Sequence, residues 1–366
     1  MAIAIAIISV IDICFINIAI SEISAVGGNP QNRYGATCFR RKKQMKFSVI
    51  IPVYNGQQHI LRSIGSVLSQ TFGDYELIVI DDGSTDETAE LVRKVIEDND
   101  NSHIRLIQQQ NAGVSAARNA GIDAAVGEFI CFLDSDDQWF TDHLENLDRA
   151  VQTYPQEVFF STLSQTCLLD GSIASQSKEL PEETFVIDDY FEYELSGKPS
   201  ISKFTSTICL KSEVFLKIGK FATGVKLSED EDMWYRAAAY HNFVVIPRTT
   251  VQRNRDFSQA TRFVVNPETD KFVEREKEIL SDETIPASKR KSISLIIQRH
   301  KIRLIRSMIK NGHKGKALRS LFGGNFDGYY RKELITTVIA LFIPQFIIKK
   351  MEKRKTDLNY YHASDE

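Results

Sequence analysis

The stretch FICFLDSDDQWF, residues 129–140, ends an apolar run in closely spaced carboxylates. Asp134, Asp136 and Asp137 follow the run directly, with Ser135 between the first two. Carboxylates at this spacing repel one another, so they cost stability unless a cation or a row of hydrogen-bond donors neutralises them. Mg²⁺ and Mn²⁺ prefer such hard oxygen ligands, so the stretch favours a divalent cation site.

Two further polar clusters follow apolar runs in the same way. Tyr54 and Asn55 follow FSVIIPV, and the cluster DDGSTD, residues 81–86, follows YELIVI. Each cluster alone has an ordinary explanation, because Asp-Gly is a common turn and an acidic run favours a helix N-terminus. Three clusters in the same position after successive apolar runs are much harder to explain by local structure alone.

The elements that must position these clusters alternate between strand and helix from Phe47 to about Ala150. Four short, fully apolar runs predict buried strands, and the segments between them carry apolar residues at helical spacing. One of these helices opens with a capping box, Ser84 to Glu87. The pattern predicts an α/β fold with a mainly parallel sheet, which binds ligands beyond the carboxyl ends of its strands.

Composition and missing motifs exclude several other classes. The chain of 366 residues has a formal net charge of -3, which gives no reason to predict a nucleic-acid partner. Neither a G-x-G-x-x-G after a strand nor a P-loop occurs, so a pyrophosphate would have to be held another way, for which a carboxylate-bound cation is suited. The five cysteines show no metal-ligand spacing and indicate reduced thiols in a cytosolic compartment.

The motifs VIIPVYN, VIDDGSTDET, NAGVSAARNAG and FLDSDD together resemble the family-two inverting glycosyltransferases of the GT-A fold. The resemblance covers Phe47 to about Ala150 strongly and continues weakly to about Arg262. It implies a metal-dependent transfer from a nucleotide-sugar, with a uracil base favoured. It also implies Mn²⁺ or Mg²⁺ on Asp136 and Asp137, and a donor site that comprises Pro52, Tyr54, Asn55, Asp82, Gly113, Arg118, Asp134 and Ser135.

Within that donor site the resemblance assigns roles to individual residues. Asp82 would accept a hydrogen bond from the base, and Asp134 with Asp136 would form the D-x-D pair at the ribose and metal. Gly113 and Arg118 would face the nucleotide-sugar. Arg118 could instead be an ordinary exposed helix residue.

An inverting transfer also needs a carboxylate base, and LSEDEDMWYRAA, residues 227–238, resembles the family's E-D-x-D-L-W-x-R signature. This places Glu229 and Asp230 at the start of a helix, and Asp230 is the predicted base. The alternative is an acidic first turn favoured by the helix dipole. Trp234 could form a floor for the acceptor sugar or belong to the core.

The resemblance weakens in VQRNRDFSQATR, residues 251–262. Relatives often carry Arg, His and Ser near the diphosphate at this point, whereas this stretch has no histidine. Arg253, Arg255 and Ser258 could hold the leaving phosphates, but a third metal ligand from this loop is not expected.

Three regions are predicted: an N-terminal extension (1–44), a GT-A domain (45–265) and a basic helical C-terminal region (266–366). The extension is either a membrane-anchor segment or untranslated sequence ahead of a start at Met45. The range from Ala287 to Lys332 contains thirteen Lys or Arg and only one acidic residue, which favours contact with an anionic surface. With the apolar segment 334–348, this predicts a cytoplasmic protein held peripherally on the inner membrane face, the alternative being a terminal helix packed on its own domain.

The acceptor would be a saccharide or a lipid-linked sugar in cell-surface polysaccharide assembly. Two other function classes compete: a nucleotide-sugar-binding partner without turnover, and a nucleotidyltransferase. The intact carboxylates count against the first, and YNGQQH, in place of a glycine- and arginine-rich loop after the first strand, counts against the second. The sequence fixes neither the sugar nor the linkage nor the oligomeric state.

Overall fold

The structure, a computed structural model, describes residues 45–344 and 347, except 100–102, 169–171, 176–179, 200, 202, 226–227 and 256–270. The predictions for the extension 1–44, for Ser258 and for the basic tail from residue 349 therefore lie outside the described residues. The predicted boundary between residues 265 and 266 also falls outside them and stays a prediction.

The first half of the fold alternates strands and helices as the sequence predicts. Its elements are β1 (Phe47–Val53), α1 (Ile60–Leu68), β2 (Tyr75–Asp81), α2 (Thr88–Asn99), β3 (Ile104–Gln108), α3 (Val114–Ala124) and β4 (Phe129–Phe132). The four strands pair in parallel in the order β3-β2-β1-β4, so their carboxyl ends share one sheet edge. β1 and β4 are buried along their whole length because helices cover both faces of the sheet.

The second half adds antiparallel pairing to the sheet. It contains β5 (Gln138–Trp139), α4 (His143–Thr153), β6 (Phe159–Leu168), β7 (Ile173–Ser175), β8 (Phe185–Ile187), α5 (Tyr190–Leu195), a 3₁₀ turn (Thr205–Thr207), β9 (Ile208–Lys211), α6 (Val214–Ile218), α7 (Glu229–Tyr240) and β10 (Phe243–Arg255). The sheet continues β4-β9-β6-β10-β5, and β9 runs antiparallel to both β4 and β6. The predicted α/β class with a parallel sheet at its centre is confirmed.

Alternate residues of each central strand feed two apolar cores on opposite faces of the sheet. Ile50 and Phe132 lie in one core, together with Trp234 from α7. Val49 and Cys131, each next to one of these residues in sequence, lie in the other core. This two-residue period fixes the register of the sheet, because a slip of one residue would exchange the two faces.

The C-terminal region is helical, as predicted. It consists of α8 (Lys271–Glu274), α9 (Glu276–Ser281), α10 (Ala287–Lys310), α11 (Lys314–Gly323), a 3₁₀ turn (Gly328–Tyr330) and α12 (Arg331–Phe342). No helix among the described residues is long and apolar enough to cross a membrane.

The apolar face of α10 is already covered by the rest of the chain. Ile293 and Ile296 are fully buried in the same core as Trp234, while Ile305 and Ile309 pack on α11 and α12. For α10 the structure therefore favours the alternative in which a C-terminal helix packs on its own domain.

Candidate functional site

The two loops after β1 and β2 are locked together at the carboxyl edge of the sheet. The backbone N–H of Asn55 donates to Ser84 Oγ at 2.8 Å, and the N–H of Thr85 donates back to Asn55 Oδ1 at 2.8 Å. Asn55 has a positive φ of 50°, a conformation that asparagine tolerates better than most residues. Two of the three predicted polar clusters are thus neighbours, with Tyr54 half exposed and Pro52 buried in β1.

Asp82 joins this edge to the loop before α3. Its carboxylate accepts hydrogen bonds from the backbone N–H groups of Ala112, at 2.9 Å, and Gly113, at 2.8 Å. Gln109 Nε2 donates a third, at 2.6 Å. Gly113 has a φ of 89°, a backbone conformation that favours glycine. These contacts give Asp82 a structural role, and its hydrogen bond to a base stays a prediction.

The acidic loop after β4 closes as a turn, in which the Asp137 N–H donates to the Asp134 carbonyl at 3.0 Å. Side chains from two sides hold its remaining carbonyl oxygens. Ser63 Oγ, on α1, lies 2.6 Å from the carbonyl of Ser135 and 2.8 Å from that of Asp137. The carbonyl of Asp136 accepts from two further side chains, each at 3.0 Å: Arg62 Nη2 and Asn254 Nδ2. A row of hydrogen-bond donors is therefore present, but these donors bind backbone carbonyl oxygens rather than the carboxylates.

The three carboxylates of this loop have different environments. Asp134 pairs with Arg118, Asp137 is buried and accepts from Ser206 Oγ at 2.6 Å, and Asp136 is exposed. Burial, with the charges of Asp134 and Asp136, raises the pKa of Asp137 to about 8. Partial desolvation, followed by the charge of Asp134, also raises the pKa of Asp136. A bound cation would relieve this repulsion.

A divalent cation fits these residues chemically. No group of three or more His, Cys, Asp or Glu side chains is arranged for a metal in the part of the chain that the structure describes. Mg²⁺ is commonly held by only one or two carboxylates together with substrate phosphates and water. Asp136 and Asp137 supply that number, so the donor set suits a cation that arrives with a diphosphate.

Arg118 connects the acidic loop to the first turn of α7. Its Nη2 lies 2.8 Å from Asp134 Oδ1, and its Nη1 lies 3.1 Å from Glu229 Oε1. Only 5% of the side chain is exposed, so the alternative that Arg118 is an ordinary exposed helix residue is wrong. Burial alone would lower the pKa of Arg118, but the charges of Asp134, Glu229 and Asp230 outweigh it and raise that pKa.

Glu229 and Asp230 have different contacts at the start of α7. The Glu229 carboxylate is engaged by Arg118, whereas Asp230 Oδ1 accepts from the Glu231 N–H at 2.8 Å. Burial and the neighbouring charge of Glu229 raise the pKa of Asp230 to about 6, against the opposing charge of Arg118. Asp230 is thus ionised at neutral pH and more basic than an ordinary aspartate.

Two other residues of this helix are structural. Asp232 is buried in ion pairs with Arg236 at 2.9 Å and Arg275 at 3.2 Å. Trp234 is buried among aromatic rings, with centroids 5.9 Å from Phe132 and 5.5 Å from Phe221. Of the two roles considered for Trp234, core and acceptor floor, the structure supports the core.

Arg253 brings positive charge from β10 to the acidic loop. Its guanidinium lies 3.3 Å from the centroid of the Phe204 ring, and its charge lowers the pKa values of Asp136 and Asp137. Arg255 lies at the end of β10, and the structure does not describe its side chain.

Sequence reasoning missed the four side chains that hold the loop: Arg62, Ser63, Ser206 and Asn254. Ser206 Oγ, besides its bond to Asp137, accepts from the Asp134 N–H at 3.1 Å. The four residues are far from the loop in sequence, and no local pattern marks them.

Comparisons with known proteins agree with this architecture. Residues 48–215 match the family model described as Glycosyl transferase family 2. The chain is 36% identical over 113 residues to glycosyltransferase GlyA of Streptococcus pneumoniae, and 41% identical over 102 residues to the uncharacterized glycosyltransferase YibD of Escherichia coli. These matches cover 31% and 28% of this chain, and only 16% and 29% of those relatives.

Among solved structures, the chain resembles S. aureus TarS 1-349 in complex with UDP-GlcNAc. The TM-score is 0.55 at 21% sequence identity, over 80% of this chain and 79% of that one. At this identity the likeness shows the shared GT-A fold.

Proposed function

We propose that the protein transfers a sugar from a nucleotide-sugar, with inversion, to a saccharide or lipid-linked acceptor in cell-surface polysaccharide assembly. The match of residues 48–215 to the model of glycosyl transferase family 2 supports this proposal. One observation carries the proposal: Arg118 joins the acidic loop to α7. This bridge brings the carboxylates of the acidic loop close to those of α7, which supports a cation site on one side and a general base on the other.

The donor is a UDP-sugar held at the carboxyl edge of the parallel strands. Tyr54, half exposed beside the locked loops of Asn55 and Ser84, supplies a ring on which a base can stack. Pro52 and Asp82 complete the nucleotide pocket, and Gly113 and Ser135 line the path toward the sugar. The structural neighbour in complex with UDP-GlcNAc supports this donor class.

Asp136 and Asp137 would hold Mn²⁺ or Mg²⁺. When bound, the cation neutralises negative charge on the diphosphate as it leaves. Arg253, whose charge already acts on both carboxylates, adds a second positive group for the leaving phosphates.

Asp230 acts as the general base. The acceptor oxygen forms its bond to the anomeric carbon from the face opposite the diphosphate, and the bond from that carbon to the phosphate oxygen breaks. The electron pair of the broken bond leaves on the diphosphate, and the acceptor proton passes to the Asp230 carboxylate. A pKa of about 6 suits this role, because the base is ionised at pH 7 and still binds a proton well.

Glu229 and Arg118 act on the chemistry through position and charge. Arg118 binds Glu229 and Asp134, which fixes α7 relative to the acidic loop. We place the reaction in the cytoplasm at the inner face of the cytoplasmic membrane, where a lipid-linked acceptor would be presented.

Incubation of the purified protein with UDP-sugars, Mn²⁺ and candidate acceptors tests this function. Release of free UDP and a product of inverted anomeric configuration are expected. Release of pyrophosphate would instead indicate a nucleotidyltransferase. Donor binding without turnover across a broad acceptor panel would favour the non-catalytic nucleotide-sugar-binding partner.

A further inference from the structure

The two helices α11 and α12 both carry exposed apolar side chains. Ile335, Val338, Ile339 and Phe342 recur at helical spacing on α12, and Phe342 is 81% exposed. Leu318 and Phe322 on α11 are likewise exposed, the latter at 80%. These six side chains are called the apolar stripe below.

The orientation of α12 is fixed by contacts on its other face. Thr337 and Leu341 are buried, and Arg306 Nε on α10 donates to Thr337 Oγ1 at 2.8 Å. Lys314 Nζ donates to the carbonyls of Leu341, at 2.7 Å, and Ile343, at 2.6 Å. Because residues 337 and 341 point inward, residues 335, 339 and 342 lie on the outer side of the helix, and Val338 lies at its edge.

Basic residues border this stripe. From Lys314 to Phe342 the chain has five Lys or Arg and two acidic residues. Arg331 lines a groove of about 360 Å³ together with Ile335 and Val338, and Asp327 is the one acidic residue of that lining. Arg319 and Lys332 are exposed as well. The surface thus combines an outward apolar stripe with an excess of positive charge.

We propose that this α11–α12 surface binds an anionic lipid bilayer, with the stripe at the level of the headgroups and upper acyl chains. A bilayer matches both features, since acidic headgroups attract Lys and Arg while the interface accepts apolar side chains. A second copy of the chain would bring two basic surfaces together and incur their repulsion. The segment from Lys349 to Lys355 has five Lys or Arg and one acidic residue, so the basic α11–α12 surface would repel it.

This inference extends the proposed function by naming the surface that meets the membrane. It keeps part of the apolar segment 334–348, on α12, as the membrane contact, adds α11, and excludes the apolar face of α10, which is buried in the protein.

Flotation of the full-length protein with vesicles tests the inference. Vesicles of phosphatidylcholine with one-quarter phosphatidylglycerol should carry the protein upward at low salt, and less of it should float as salt rises. Pure phosphatidylcholine vesicles should carry little. The apolar N-terminal sequence is identical in all variants, so differences between variants report the α11–α12 surface.

Two double variants and two controls complete the design. Ile335→Asp with Ile339→Asp should abolish flotation, whereas Leu216→Asp, a change at a 90% exposed leucine on α6, should not affect it. Arg319→Glu with Lys332→Glu should weaken binding by at least about 25-fold, since each lost basic charge near the surface is worth about fivefold. Lys94→Glu with Lys277→Glu changes the net charge equally and should have little effect.

UDP binding in the presence of Mn²⁺, measured on the same variants, separates this inference from the proposed function. Loss of flotation with normal UDP binding supports the surface. Full-length protein that ignores the anionic vesicles, or stripe variants that float like the parent, would overturn it. If the parent protein is a dimer and the stripe variants are monomers, the inference is wrong and a second copy of the chain covers this surface.

Discussion

The raised pKa of Asp230 predicts an unusual loss of activity in mild acid. The reactive form is the carboxylate, so activity is full above the pKa and is lost as pH falls through it. With a pKa of about 6, the ionised fraction falls from about 90% at pH 7 to about 9% at pH 5, a roughly tenfold drop in rate. An aspartate of ordinary pKa would lose only about 7% of its ionised fraction over the same interval.

Glu229→Gln supplies the perturbation that tests the cause. The change removes the negative charge beside Asp230 and releases Arg118 from one of its two partners. Both effects favour the ionised form of Asp230, so the acidic limb should move to lower pH. Glu231→Gln is the matched control, because Glu231 lies next on the helix and faces Tyr235 and Lys203.

The assay is UDP release, with kcat/KM measured between pH 4.5 and 8, since this quantity reports the ionisations of the free enzyme. UDP affinity in Mn²⁺, measured at each pH, corrects for changes in donor or cation binding. After that correction, a limb near pH 4 in the parent protein, or an upward shift in Glu229→Gln, would refute the assignment of Asp230 and its electrostatic environment.

Three further predictions concern the residues around this site. Arg118→Ala should lower the free energy of unfolding in urea by about 3–5 kcal/mol, because it leaves Asp134 and Glu229 without their buried partner. Arg149→Ala, which breaks an exposed ion pair, should lower it by under about 1 kcal/mol, and equal losses in the two variants would contradict this prediction. Ser206→Ala should raise the Kd for Mn²⁺ by about 10–100-fold in electron paramagnetic resonance titrations, since the Ser206 hydroxyl orients Asp137. Ser206→Thr, which keeps a hydroxyl, should restore the parent Kd. An unchanged Kd in Ser206→Ala would exclude that role. Trp234→Phe should cost about 1–3 kcal/mol of stability with little change in the KM for acceptor, and a large KM effect in a stable variant would return Trp234 to the acceptor site.

The sheet and the location of the site were predictable because they follow from local periodicity. Apolar runs of strand length, separated by helical patterns, imply parallel strands. The polar residues that follow Val53, Ile80 and Phe132 must then lie at one edge of the sheet. The lock between Asn55 and Ser84 realises this expectation. The local sequence pattern was sufficient to predict these positions, because parallel pairing of the strands brings their carboxyl ends together.

The contacts that hold the site were not predictable, because they join distant parts of the chain. Arg118 and Glu229 are 111 residues apart, and Asp137 and Ser206 are 69 apart. Nothing in the residues beside Ser206 indicates that its hydroxyl is buried against an aspartate.

The same limit applies to the C-terminal helices. The apolar spacing of α10 predicts an amphipathic helix correctly, yet it cannot say what covers the apolar face. Only the packing of Ile293 and Ile296 into the core that contains Trp234 shows what covers it.

The general-base role of Asp230, at a site that Arg118 assembles, is the central claim, and kcat of Asp230→Asn tests it most directly. The variant keeps the size of the side chain but cannot accept the proton, so kcat should fall by about 10²–10⁴-fold. The Kd for UDP in Mn²⁺ should stay close to that of the parent, and Glu231→Gln should retain near-normal kcat. A near-normal kcat in Asp230→Asn, with UDP binding intact, would contradict the claim and require another residue to take the proton.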